Sequence, residues 1–239
     1  MFSILLENAK RPNKCVTVYL LSRIFLQINK STNQQITLVF YPTYFSPIIQ
    51  YVALAKADGI TFEVEDNFQK QTYRTRCYIY SPNGKQLLSI PIKNANSSQK
   101  TKDVLIDTSF NWQKQHLKSI EAAYRSSPFY EFFEDEIQLV FKKTPKFLLD
   151  FNFICQDLVF ELLQFDKNYT STTFFQKTPE LKDLRYLANA KSDIDYKLDP
   201  YTQVFSEKHG FIENLCILDL LFMEGSNALN YLESQKIDF

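Results

Sequence analysis

The sequence predicts an α/β fold: a mixed β-sheet with a β-hairpin in the first half of the chain, and helices from the second half packed on it. Three observations predict it. Ile36–Tyr41 (ITLVFY) is a near-continuous apolar, β-branched run stopped by Pro42, the pattern of a buried strand. Ser81-Pro82-Asn83-Gly84 lies between two alternating runs, and Asn-Gly tolerates positive φ at both residues, so the pair reads as a hairpin. From Ser109 onward the apolar residues recur at helical spacing.

Each element follows in order. Pro42 and Pro47 bracket a loop, YPTYFSP, after the first strand. A short helix is expected over Ile48–Ala57, closing before Asp58-Gly59, and Ile60–Val64 alternates as a second strand. Thr75–Tyr80 and Gln86–Ile92 form the hairpin arms, and Val104–Ile106 reads as a further short strand. Ser109 or Asn111 can cap a helix over Trp112–Arg125 that stops before Pro128. Phe129–Lys143 places Phe129, Phe132, Phe133, Ile137, Val140 and Phe141 on one face. Phe147–Gln164 is apolar nearly all round and should be the most buried helix. Residues 165–210 are weakly patterned, strand plus loop. Asn214 can cap a last apolar helix, Leu215–Glu224, which Gly225 suits as C-terminal cap.

Composition narrows the function classes. A chain of 239 residues with 45% apolar residues can bury a sizeable core, and 22 Phe with 14 Tyr make that core largely aromatic. Basic and acidic residues balance at 27 each, which argues against nucleic acid as a partner and against a polybasic membrane anchor. Cys15, Cys77, Cys155 and Cys216 are far apart, with no C-x-x-C pair, so they read as reduced, packed thiols of a cytoplasmic protein. Val16–Ile28 is apolar, but Arg23 interrupts it, no cleavage site follows, and it is too short to span a bilayer. Residues 1–35 are therefore expected to be an extension outside the core. With four glycines in all, neither a Walker loop nor a dinucleotide fingerprint can be built; there is no G-x-S-x-G elbow. Two histidines and unpaired cysteines make a protein-held metal unexpected, and no cofactor is implied.

The residues that can carry chemistry are few. In Lys70-Gln71-Thr72-Tyr73-Arg74-Thr75-Arg76, extended alternation sends Arg74 and Arg76 to one side and Tyr73 to the other. Two guanidiniums on one face can grip a phosphate or carboxylate, although a charged strand edge gives the same pattern. Glu63, Glu65 and Asp66 sit at and just after a strand's C-terminal end, where open parallel sheets bind ligands; a turn paired with Lys70 is the alternative. Trp112, His116 and Ile120 share one helix face, so His116 is either a base beside a Trp or a core-edge histidine. Asp219 lies inside an apolar helix and requires a partner.

The stretches YPTYFSPIIQY (41–51), KQTYRTR (70–76), PNGKQLLSIPIK (82–93), WQKQHLKSIEAAYRSSPFY (112–130) and YTQVFSEKHGFIENLCILDLLFMEG (201–225) together resemble the WbqC-like protein family. Thr75 departs from the Asn usual there, and Cys216 from the usual Ser. The resemblance implies one such domain over residues 36–239, in a bacterial protein tied to O-antigen or other surface-polysaccharide gene clusters. It assigns no activity by itself; cation clustering together with that context gives a transferase-like role as the leading reading, with acyl or aminoacyl transfer to an activated or amino sugar. The alternative is a non-catalytic module binding a sugar-nucleotide or a partner enzyme. On the first reading His116 is the base, Lys70 stabilises developing charge, and Asp66 or Glu65 orients a hydroxyl. Arg74 and Arg76 hold the anionic part, beside Tyr44, Tyr73 and Trp112. The expected ligand is a small sugar or sugar-nucleotide, with an acyl donor on the transferase reading, and the oligomeric state is left open.

Overall fold

The computed structural model describes residues 36–143, 145–192 and 194–239; the extension expected over residues 1–35 lies outside them. Four short strands, β1 (Thr37–Phe40), β2 (Gly59–Phe62), β5 (Tyr169–Ser171) and β6 (Lys182–Asp183), form one parallel sheet in the order β5-β2-β1-β6. The register pairs Phe40 with Phe62, Leu38 with Lys182 and Ile60 with Tyr169. All four strands therefore end on the same edge. The hairpin is a separate antiparallel pair, β3 (Arg76–Ser81) with β4 (Gly84–Ser89). The α/β class and the hairpin are as expected, with parallel and antiparallel pairing divided between two sheets.

The hairpin turn differs in detail. Pro82 and Asn83 are its two central residues and only Gly84, at φ 93°, is left-handed. Ser81 Oγ accepts from Asn83 N–H and donates to the Gly84 carbonyl, which fixes the bend. Val104–Ile106 makes only isolated bridges, Ile92 to Ile106 and Leu105 to Phe147, after a 3-10 turn over Thr101–Asp103. The second half contributes β5 and β6 to the central sheet as well as helices.

The helices are α1 (Ile48–Lys56), α2 (Trp112–Tyr124), α3 (Tyr130–Lys142), α4 (Leu148–Leu162), α5 (Ser206–His209), α6 (Ile217–Glu224) and α7 (Ala228–Ser234). Asn111, not Ser109, caps α2 by accepting from Lys114 N–H at 3.1 Å. On α3 the expected inward face is imperfect: Ile137, Val140 and Phe141 are buried, but Phe132 is 72% exposed. Helix α4 has nine of its fifteen residues buried, including the amides Asn152 and Gln156, but it is not the most buried helix, contrary to expectation. Helix α1 buries seven of nine and α6 six of eight, because both run through the core while α4 keeps one side toward solvent. Gly225 ends α6 at φ 55°, and a Cβ there would meet the Phe129 ring at 2.5 Å, so glycine is required twice over.

The segment Tyr41–Pro47 between β1 and α1 is irregular yet wholly buried, so its backbone groups need partners inside the protein. Gln50 donates to the Tyr41 carbonyl at 3.1 Å, Asn152 to the Pro42 carbonyl at 3.2 Å, and Tyr44 N–H donates to the Tyr73 carbonyl at 2.9 Å. Asn214 serves the helix that follows this segment. Its Oδ1 accepts from Ile49 N–H at 3.0 Å, capping α1 rather than the helix it precedes in sequence. Ile48 N–H donates to Leu215 and Ile217 N–H to Ser46, so the starts of α1 and α6 satisfy each other across a Pro47–Cys216 bridge. Asp219 accepts from Tyr124 at 2.8 Å, from Gln203 at 3.0 Å and from Tyr201, a closed network about a buried carboxylate.

Asn152 also donates to the Arg74 carbonyl at 3.1 Å, a second tie between the two loops that Tyr44 N–H already joins through Tyr73. Asn152→Leu should cost about 3 kcal/mol, since two buried carbonyls lose their donor. Urea unfolding should show a lower midpoint at unchanged slope; an unshifted midpoint would mean the carbonyls find other donors.

Candidate functional site: a cationic cavity at the C-terminal edge of the parallel sheet

Parallel strands that end together leave a crevice beyond their carboxyl ends. Here Tyr41 follows β1, Glu63 follows β2, Asp183 closes β6, and Arg185 begins the 3-10 turn Arg185–Ala188 behind it. Arg185 is gripped from several sides. Its Nε and Nη2 donate to the two Asp183 oxygens at 2.8 and 2.7 Å, Nη1 to the Gln176 carbonyl at 2.9 Å, and Nη2 to the Lys177 carbonyl at 3.1 Å. Glu63 Oε2 adds an ion pair at 3.5 Å, while Glu63 Oε1 accepts from Glu65 N–H and Thr172 Oγ1. The guanidinium thus ties the ends of β2 and β6 to the loop bearing Phe175 and Lys177. Hydrogen bonding to Asp183 raises the Arg185 pKa; Asp183 in turn is held below its ordinary value, with burial opposing and Arg185 prevailing.

A second arginine lies beside Tyr41. Arg74 is fully buried, its Nη2 donating to Asp66 at 2.7 Å and its guanidinium carbon 3.7 Å from the Tyr41 ring centroid. Burial, then the Asp66 charge, push the Tyr41 phenol up, while Arg74 and Arg185 pull it down; the net shift is upward, so the hydroxyl stays protonated. Across from Arg185, residues 69–73 run against 188–190: Tyr73 N–H donates to Ala188 and Ala190 N–H to Gln71, with a Thr72–Asn189 bridge between. The hollow between them, open to solvent, measures about 460 Å³ and is lined by the rings of Tyr41, Phe175 and Tyr186, the cations Lys70, Lys177 and Arg185, and the polar groups of Gln69, Thr72, Asp183 and Asn189. Lys70 and Lys177 make no ion pair among the described residues.

The residues singled out from sequence are distributed over three places. Lys70 lines the cavity; Arg74 and Asp66 lie buried against its Tyr41 wall. Arg76, with Tyr73, belongs to the hairpin side: β3 starts only at Arg76, and residues 73–75 turn rather than extend, so the expected alternation of Arg74 with Arg76 does not hold. Tyr73 packs edge-on to Tyr78, its phenol pushed up to about 12 by burial. Glu65 pairs with Lys102 at 2.8 Å and is not among the cavity's lining residues. Tyr44, Trp112 and His116 form an aromatic cluster with Phe141 and Phe151, and none of the three lines the cavity. His116 Nδ1 faces the Tyr44 hydroxyl at 2.9 Å, and desolvation lowers its pKa to about 4 against a smaller opposing hydrogen bond at Ser89. The ring is neutral there.

Arg185, Phe175 and Lys177 were not foreseen, because residues 165–210 carry no strong period. One signal was available: in Lys182-Asp183-Leu184-Arg185, an acid and an arginine two apart share one side of an extended chain. Among the described residues, no group of three or more His, Cys, Asp or Glu is placed to hold a metal, and no helix is long and apolar enough to cross a membrane. Cys77, Cys155 and Cys216 are free and buried; burial raises the thiol pKa of Cys77 and Cys155, so their role is packing.

A family model described as the WbqC-like protein family matches residues 42–193, more than half of the chain. The chain belongs to the WbqC-like protein family. The matched span takes in every cavity-lining residue except Tyr41, and leaves out the 201–225 stretch that also carried the resemblance. No curated protein and no solved structure matches this WbqC-like chain.

Two outcomes follow for the WbqC-like domain. Arg185→Gln should speed amide exchange across residues 172–182 by about tenfold while leaving α4 protected, since the loop loses its clamp; unchanged exchange there would mean the loop is held otherwise. His116 binds fewer protons folded than unfolded between about pH 4 and its ordinary value of 6.5. Its contribution to stability is therefore present above that window and lost as pH falls through it, on the order of 3 kcal/mol in all. Unfolding free energies should fall less steeply with acid in His116→Gln than in the parent, and parallel curves would contradict the assignment.

Proposed function

We propose that this WbqC-like protein binds a phosphorylated sugar, of the sugar-nucleotide class, in the cavity beyond β1, β2 and β6. Membership of the family fits a polysaccharide-associated protein in general; the finer reading rests on the cavity itself. The observation that carries it is the pair Lys70 and Lys177, two ammonium groups without ion-pair partners among the described residues, in a hollow where Arg185 faces the two acids Asp183 and Glu63, so that the two lysines leave the group with one positive charge in excess. Such a hollow has a net attraction for a small anion. Tyr41, Phe175 and Tyr186 offer flat faces to a base or a pyranose ring, and Gln69, Thr72 and Asn189 can exchange hydrogen bonds with hydroxyls. About 460 Å³ is within the range of small-molecule sites.

Binding is favoured over acyl or aminoacyl transfer by the position of His116. A general base must come within hydrogen-bond reach of the proton it takes; His116 instead faces Tyr44 inside an aromatic cluster. The described residues lining the cavity include no histidine or cysteine.

Calorimetric titration of the protein with nucleotide-sugars, sugar phosphates and acyl donors tests this reading. An anionic sugar should bind, with Lys70→Ala and Lys177→Ala each weakening affinity roughly tenfold, the loss of one charge-assisted contact. His116→Gln should leave affinity intact. Failure of every anionic sugar to bind, or equal affinity in both lysine variants and the parent, removes the proposal.

A further inference from the structure

Helix α3 keeps two large apolar side chains out of the core: Phe132 is 72% exposed and Leu139 56%. With Glu136, and with Lys143 at the helix end, they recur at spacings of four, three and four residues and so form one outward row. A groove of about 290 Å³ lies between this helix and α4. From α3 and its cap it is lined by Glu136, Leu139, Val140 and Lys143, and from α4 by Ile154, Asp157, Leu158 and Glu161. Both sets have the spacing of a single helix face, so the groove extends about 10 Å along each helix. Val140 and Leu158 are buried beneath it, while Leu139 and Ile154 remain accessible. Three carboxylates line it against one ammonium group.

The acidity is not cancelled by neighbours. Residues 130–162, which span both helices, hold seven acids against three lysines in a chain whose formal net charge is zero. None of the seven forms an ion pair among the described residues. Glu136 Oε2 is shielded from solvent with no hydrogen-bond partner, which costs free energy until a donor arrives. The next hollow along α4 shares Asp157 and Glu161 and adds Asp166. Its one cation, Lys167, is occupied, donating to the carbonyls of Leu54, Ala55 and Ala57.

We propose that this groove receives a basic amphipathic helix of a partner protein. Two helices side by side accept apolar side chains that repeat at three and four residues. Lysines or arginines flanking that stripe meet Asp157 and Glu161 and give Glu136 its missing donor. A second copy presenting the same groove would set like charges opposite one another, so charge complementarity selects a cationic partner instead. The groove shares no lining residue with the cationic cavity, and the proposal stands apart from the sugar reading.

The test is fluorescence anisotropy of the full chain with a labelled synthetic peptide of about fourteen residues, leucine on one helical face and lysine on the other. Asp157 and Glu161 are exposed, so the double variant Asp157→Asn with Glu161→Gln should fold, and the amide can still accept from Tyr169. It should bind the peptide roughly tenfold more weakly at low salt. Leu139→Ser should weaken binding about fivefold at low and high salt alike. A peptide of the same composition in scrambled order should bind the parent at least about tenfold more weakly. Sugar affinity should be unchanged in every variant. No binding of the ordered peptide overturns the proposal. Equal affinity for the scrambled peptide does so too, since it reduces the contact to charge alone. Undiminished binding in both variants places the contact elsewhere on the chain and overturns it as well. A concentration-dependent dimer of the parent that is lost in Leu139→Ser assigns the groove to a second copy and overturns it equally.

Discussion

Seven buried residues without regular structure, Tyr41–Pro47, impose the main constraint on this fold. Loops usually run over the surface because water can satisfy their backbone. This one runs through the core, so each of its amides and carbonyls has to meet protein. The donors and acceptors come from several parts of the chain: Gln50 on α1, Asn152 on α4, Tyr73 before β3, and Ile217 at the start of α6. Sheet, hairpin and helices are joined through that one segment. Phe45, buried and at φ 39°, is held in a left-handed conformation that costs an ordinary side chain on the order of 1 kcal/mol, and its ring contacts with Tyr44 and Phe141 oppose the strain.

The same constraint shapes the site. Because the loop leaves β1 with Tyr41 at the edge and turns inward, Tyr41 presents one ring to the cavity while Arg74 stacks against it from within. The two arginines near Tyr41 are then unequal to the two lysines. Arg185 spends its donors on Asp183 and two carbonyls, and Arg74 is sealed against Asp66, so both act through what they hold in place. Planar guanidiniums suit that bracing task, whereas Lys70 and Lys177 carry their charge on flexible stems and remain available.

Much of the fold was legible in the sequence, and what was not has a physical cause. Strand β1 and helices α2 and α4 lie within a few residues of their expected ends because their apolar periods are long and uninterrupted. Strands β5 and β6 are three and two residues long, and they hold the polar sequences Tyr-Thr-Ser and Lys-Asp at the sheet's two outer positions. No hydrophobic pattern announces so short an edge strand, and with β6 went the chance to see Asp183 and Arg185. Asn214 has the right residue type for a cap, but its neighbour in space is α1 rather than α6, which local spacing cannot reveal. His116 illustrates the converse limit. Its four-residue spacing from Trp112 put both on one helix face correctly, yet whether such a face meets a cleft or a set of rings depends on α3 and α4 packing against it.

A neutral histidine inside an aromatic cluster and charged groups around a cleft are two answers to one problem of burial. His116 is taken out of water with the Tyr44 hydroxyl as its near partner, and desolvation removes its charge. At the sheet edge the opposite holds: Asp183 and Arg185 face each other closely enough that the ion pair outweighs desolvation, and both remain ionised. The difference comes from which partner the backbone delivers. Beyond the ends of parallel strands, side chains from several strands converge, and an acid can be placed opposite an arginine; on the Trp112 face of α2, the neighbours are Phe141 and Phe151. Charge therefore persists where the strands end together, and that is why the cavity, and not the histidine, is the place in this fold suited to an anion.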